Sequence, residues 1–100
     1  MIPKGCVCKD SFVFPYAESD VELIFITYQQ SLETVIEKEI SDCEFSENQV
    51  SVILSQEETL MFDSAQPILI QIRVKLKDGS VTKSKIIKTN TDIVLKNEVI

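Results

Sequence analysis

Cys6, Cys8 and Cys43 are the side chains best suited to nucleophilic or soft-metal chemistry, and two of them form a Cys-x-Cys pair. A closed thiolate zinc site usually takes four ligands at wider spacing, often completed by histidine, and this chain has no histidine. An odd number of cysteines without a secretion signal points to free thiols, so packing is the role expected of all three. Lys4 and Lys9 flank Cys6 and Cys8 and would lower a thiol pKa, but a catalytic thiol also needs a positioned base. Without histidine the chain lacks the commonest general base near neutral pH. Paired carboxylates do occur, as Glu57-Glu58 and as Glu37 with Glu39. Glycoside chemistry would need two acids facing one cleft, so solvated surface acids are expected instead. No glycine-rich phosphate loop and no calcium loop is present. The residues therefore predict no catalytic site, no cofactor and no metal.

Composition sets the frame for what replaces chemistry. One hundred residues, 44% of them hydrophobic and 26% charged, fit a single domain over 1–100 that needs no staple to fold. Two glycines and three prolines argue against a linker or low-complexity stretch. No uncharged run reaches the roughly 18 residues of a membrane span, and no basic start with an apolar stretch marks a signal peptide. The expectation is a soluble protein kept in the cytoplasm or assembled there, with no membrane partner. The net charge of −6 is unevenly spread: residues 1–66 hold 13 acids and 3 bases, while residues 67–100 hold 7 bases and 3 acids. An acidic domain of this kind is a poor nucleic-acid binder, because backbone phosphates repel it. The asymmetry instead suggests opposite charges meeting, either across strands of one domain or between protein partners.

Periodicity gives the elements. Ile68, Ile70, Ile72, Val74 and Leu76 alternate with a largely polar set ending in Arg73, Lys75 and Lys77, and Asp78-Gly79 follows. This is a half-buried antiparallel strand running into a turn. A two-residue loop there would place Lys83 opposite Val74 and Lys85 opposite Ile72, burying two ammonium groups. An odd-length loop with Gly79 in the left-handed region avoids that and puts Thr82, Ser84 and Ile86 on the core face. Further strands are expected over Ser11–Tyr16, which Pro15 ends or demotes to an edge, and over Val21–Tyr28, 32–40, a brief edge at Cys43–Phe45, Val50–Leu54, and weakly Thr91–Leu95. Apolar residues on both faces of Val21–Tyr28 suggest a strand covered on both sides or one whose second face meets a partner. Gln29-Gln30-Ser31 reads as a hairpin loop. Residues 32–40 also carry a helical stripe, but Thr34-Val35-Ile36 is a β-branched run that favours strand. Ser55-Gln56-Glu57-Glu58 is a capping-box pattern, predicting one helical turn near 56–61 that folds Leu60 and Phe62 onto the core.

Six to eight short strands with turn signals between them describe an all-β, immunoglobulin-like antiparallel sandwich. There is no tryptophan and no cysteine pair suited to the disulfide of antibody domains, so only the general architecture is implied. If 32–40 neighbours 67–77 in such a fold, Glu33, Glu37 and Glu39 face Arg73, Lys75 and Lys77. The residues expected to contact a protein partner are the outward bases Arg73, Lys75, Lys77 and Lys83; the bland reading is that they keep the sheet soluble and its edge unpaired.

A likeness accompanies these patterns. Leu54-Ser55-Gln56-Glu57-Glu58-Thr59-Leu60-Met61-Phe62, Ile70-Gln71-Ile72-Arg73-Val74-Lys75, the opening Ile2-Pro3-Lys4-Gly5-Cys6 and the closing Leu95-Lys96-Asn97-Glu98-Val99-Ile100 resemble small uncharacterised β-domain proteins. These are encoded in structural cassettes of phages and prophages of Gram-positive bacteria. The chain is also faintly similar to the N-terminal sandwich module of baseplate upper proteins. The resemblance implies a non-enzymatic virion component of tail or baseplate, located in the virion and assembled in the bacterial cytoplasm. Its partners would be other virion proteins or further copies of itself, and no functional residues come with the likeness. The alternative is a small phage-encoded binding module that targets and inhibits a host protein, for which an acidic face mimicking nucleic acid would serve.

Overall fold

The computed structural model describes residues 1–100, and its backbone is dominated by strands. In chain order these are β1 (Cys8–Val13), β2 (Val21–Gln30), β3 (Glu33–Glu39), β4 (Cys43–Ser46), β5 (Gln49–Leu54), the helical turn α1 (Gln56–Leu60), β6 (Ile68–Leu76), β7 (Val81–Lys83) and β8 (Ile87–Thr89). Two antiparallel sheets result, one ordered β1-β5-β4 and the other β3-β2-β6-β7, with β8 also pairing β6. This is the Greek-key order of an immunoglobulin-like sandwich, with β1 to β7 standing where strands B, C, C′, D, E, F and G stand. No helix is long and apolar enough to cross a membrane.

The core is what period-two patterning requires. Ile24, Ile26 and Tyr28 of β2 meet Ile68, Ile70, Ile72 and Val74 of β6 on the inner face of the larger sheet. Val50, Val52 and Leu54 of β5 close it from the smaller sheet, and Phe62 plugs the end beside Tyr28 with ring centroids 6.0 Å apart. The helical turn forms as expected. Ser55 Oγ accepts the Glu58 N–H at 3.1 Å, and the Glu58 carboxylate accepts the Ser55 N–H at 2.9 Å. Both ends of the chain are tied to it or to β8's exit. The Thr59 hydroxyl donates to the Cys6 carbonyl, Ile2 pairs in parallel with Thr91, and the Gln56 amide bonds the Ile100 backbone both ways.

Register corrects several expectations. The hairpin after β6 has the predicted odd loop: Arg73 pairs with Lys83 and Val74 with Thr82, leaving Lys77-Asp78-Gly79 as the turn with Gly79 at φ 94°. Thr82 takes the core-side position but stays exposed, at the rim of a cleft it shares with Phe14 and Tyr16. Ile86 does not reach the core. The pairing of β8 is displaced by one residue from that of β7, since Ile70 meets Ile87 and Ile68 meets Thr89. The extra residue between Ser84 and Ile87 is a bulge that turns Ile86 to the outer face, where it is 61% exposed.

A second irregularity, between Val21 and Leu23, puts Val21 on the core side and leaves Leu23 and Phe25 outside. β2 is therefore central in its sheet but covered on one face. The first strand is Cys8–Val13 rather than Ser11–Tyr16, because Pro15 has no N–H for a ladder. The β2–β3 loop is Ser31-Leu32, with β2 continuing through Gln30. No strand spans Thr91–Leu95. Finally, β2 lies between β3 and β6, so Glu33, Glu37 and Glu39 do not face Arg73, Lys75 and Lys77 directly.

Candidate interaction surface

The uncovered face of the larger sheet is organised by cross-strand register. Glu39 of β3 lies opposite Phe25 of β2, Phe25 opposite Arg73 of β6, and Arg73 opposite Lys83 of β7. One row across four strands thus reads acid, aromatic, base, base. The next row reads Glu37, Thr27, Gln71, with the Thr27 hydroxyl donating to the Glu37 carboxylate at 3.4 Å. On the other side Leu23 lies opposite Lys75, and Lys75 opposite Val81. Acidic side chains hold one edge of the face, basic ones the other, and apolar ones the middle.

Within the chain these charges are left largely unanswered. Strands sit about 4.8 Å apart, so Glu39 and Arg73 are separated by roughly 10 Å of sheet with a phenyl ring between them. Lys75 pairs with Glu22 at 3.6 Å, both half-exposed, a contact of little worth in water. Glu37, Glu39, Arg73 and Lys83 enter no ion pair. Like charges directly opposite one another, as Arg73 and Lys83 are, cost stability. A shallow groove of about 460 Å³ runs between the charged edges, lined by Phe25, Thr27, Glu37, Leu69, Arg73 and Ile86 among others. Leu23, Val81 and Ile86 add exposed hydrocarbon. Such a face can hold a protein surface that presents the opposite charge order around an apolar centre.

Of the four bases singled out in the sequence, Arg73, Lys75 and Lys83 come together on this face. Lys77 lies past the end of β6, in the turn, with its N–H donating to the Asp20 carbonyl at 2.9 Å. Sequence reasoning set Glu37 and Glu39 beside these bases but missed Phe25 between them. Apolar residues on both faces of β2 left its outward set open, and nothing local said that β2 would separate β3 from β6.

Most of the other chemically capable groups are tied into the fold, but Cys6, expected to pack, is exposed. Lys38 points inward from β3 and meets Glu58 at 2.7 Å. Burial alone would raise the Glu58 carboxyl, but the Lys38 ammonium and the Ser55 N–H and hydroxyl hold it below its usual value. The Tyr28 hydroxyl donates to Asp10 across the sheets at 2.7 Å, and burial, then Asp10, push the phenol well above its ordinary value. Cys8 is pushed up to about 11, by burial first and then by the Asp10 carboxylate. The neighbouring lysine does not compensate, because residues 8 and 9 of a strand point to opposite faces while 8 and 10 share one. Burial and Asp42 likewise raise Cys43 to about 11. Both thiols are thus protonated near neutral pH. All three cysteines are free, and no cluster of metal-ligating side chains forms. Glu57 is exposed while Glu58 turns to Lys38, so this carboxylate pair faces no common cleft.

No protein-family model matches the chain, and no curated protein matches it.

Proposed function

We propose that the chain is a non-catalytic structural or assembly protein of phage or prophage type, a part of a tail, baseplate or other virion component, that works through protein–protein contacts. The observation that carries this reading is the outer face of the larger sheet, where Phe25 and exposed hydrocarbon lie between Glu37 and Glu39 on one edge and Arg73 and Lys83 on the other, none of them in an ion pair. The exposed surface supports it. A compact chain of this mass exposes about 5,700 Å², whereas this one exposes 6,400 Å². The resemblance of residues 54–62 and 70–75 to phage structural-cassette proteins supplies the biological setting. A nucleic-acid mimic would carry one sign of charge over its face, and this face carries both, so inhibition of a host protein by mimicry is the less supported reading.

Mass spectrometry of gradient-purified particles from the encoding strain tests the proposal. The protein is expected in the particles at stoichiometric amounts, and the double variant Arg73→Glu, Lys83→Glu is expected to be depleted from them. Abundance in the lysate with absence from particles would overturn it.

A further inference from the structure

We infer that the partner of this face is a second copy of the chain, packed face to face about a two-fold axis that runs along the strands between β2 and β6. This deepens the assembly reading and rests on it. The argument lies in the order of the row Glu39, Phe25, Arg73, Lys83. A two-fold axis parallel to the strands reverses the order of strands in the facing copy while keeping each row level with itself. Glu39 then faces Lys83 of the second copy, and Phe25 faces its Arg73. Every charge in the row gains an opposite charge or a ring face, and each contact occurs twice. A guanidinium over a phenyl ring is a favourable cation–π arrangement. The apparent fault of the isolated chain, two like charges side by side on β6 and β7, becomes half of a complementary surface.

Other arrangements fail on the same charges. An axis lying across the strands places Glu39 on Glu39 and Arg73 on Arg73. A slip along the strands turns the rotation into a screw operation, which sets each row against the gap between rows and does not close a dimer. Aligned sheet packing at about 30° and 10 Å separation accommodates the proposed pairing and the groove beside Ile86. Net charge opposes association at long range, since each copy carries −6. Salt near physiological strength screens that repulsion over about 8–10 Å and leaves contact pairs in force. A four-strand face, roughly 19 Å by 23 Å, gives a small interface, so a dimer in the micromolar range is expected.

Charge reversal with mixing is the test, read by sedimentation velocity over a concentration series. Glu37→Lys with Glu39→Lys makes both edges of the face basic; Arg73→Glu with Lys83→Glu makes both acidic. Wild type is expected to dimerise, and each variant alone to lose at least about tenfold in affinity. An equimolar mixture of the two variants is expected to form heterodimers, because basic edges then meet acidic ones on both sides. General attraction cannot produce that result. The first variant's net charge rises by 4 from −6 to −2 and the second's falls by 4 to −10, so both remain negative. Glu39 also shares a capping box with Asp42, so Glu37→Lys alone serves if the double variant melts early. Wild type that stays monomeric, variants that dimerise unchanged, or a mixture that stays monomeric each overturns the inference. A monomeric wild type that is still recovered in purified particles would leave the assembly reading intact with a different partner, while a dimer missing from particles would do the reverse.

Discussion

Lys38 and Glu58 show what a charge must find when period-two geometry turns it inward. Lys38 shares the inner face with Ile36, and its ammonium is nearly buried, so the Glu58 carboxylate at 2.7 Å answers a desolvation cost. That carboxylate also completes the cap of α1, so one side chain joins β3 to the helical turn. The capping box was legible in Ser55-x-x-Glu58. The pairing was not, although the outward setting of Glu37 and Glu39 already implied an inward Lys38. The folded carboxyl lies below its usual value, and the unfolded one titrates near about 4.3. Between those two values the unfolded chain binds more protons, so stability rises with pH. The contribution is full above the unfolded value and is lost as pH falls through the folded one. Glu58→Gln keeps an acceptor for the Ser55 N–H and removes only the charge. It is expected to cost about 1–3 kcal/mol at neutral pH. Urea unfolding across an acid series should show the gap from wild type closing as pH drops below about 4; a gap independent of pH would contradict the pairing.

Elements are where the sequence speaks most clearly and then stops. Alternation fixed β5 and β6, and the need to keep Lys83 and Lys85 out of the core predicted the three-residue turn at Gly79. Strand order carried no comparable local signal, because β2–β6 and β1–β5 pair across long connections, and the face composition followed strand order. Bulges were hidden for a related reason: a single extra residue inverts a face without changing the composition. Adjacent Ile86-Ile87 was a readable hint, since one of two neighbouring strand residues must point outward. The hairpin between β2 and β3 has a stranger cost. Ser31 and Leu32 sit at φ 51° and 66°, with Leu32 90% exposed. Both central residues of such a tight turn need positive φ, which asparagine and glycine supply far more cheaply than leucine. Leu32→Gly is expected to stabilise the fold by about 1 kcal/mol, since no buried contact is lost. Chemical denaturation decides it, and destabilisation would mean that Leu32 packs where the exposed tip shows no neighbour.

At the scale of the whole molecule, the extents of 47 × 26 × 17 Å and a radius of gyration of 14.1 Å describe a longer body than the roughly 13 Å expected for 100 compact residues. Only 19 residues are buried, so a large share of the surface that could stabilise the chain is still in contact with water. The charge split, visible in the sequence as an acidic first two-thirds and a basic remainder, becomes in the fold two edges of one face. A second copy on that face would bury apolar area around Phe25 and Leu69 and bring unpaired charges into contact, so folded chain and dimer become thermodynamically linked. Each tenfold rise in concentration above the dissociation constant then adds about 0.7 kcal/mol per chain, half of the 1.4 kcal/mol per dimer. For a chain of this length that corresponds to about 3 °C in the midpoint of thermal unfolding. Scanning calorimetry over two decades of concentration is expected to show this rise for wild type and a flat midpoint for the Arg73→Glu, Lys83→Glu variant. A midpoint independent of concentration in wild type would mean that the thin core alone sets the stability, and that the paired edges contribute nothing to it.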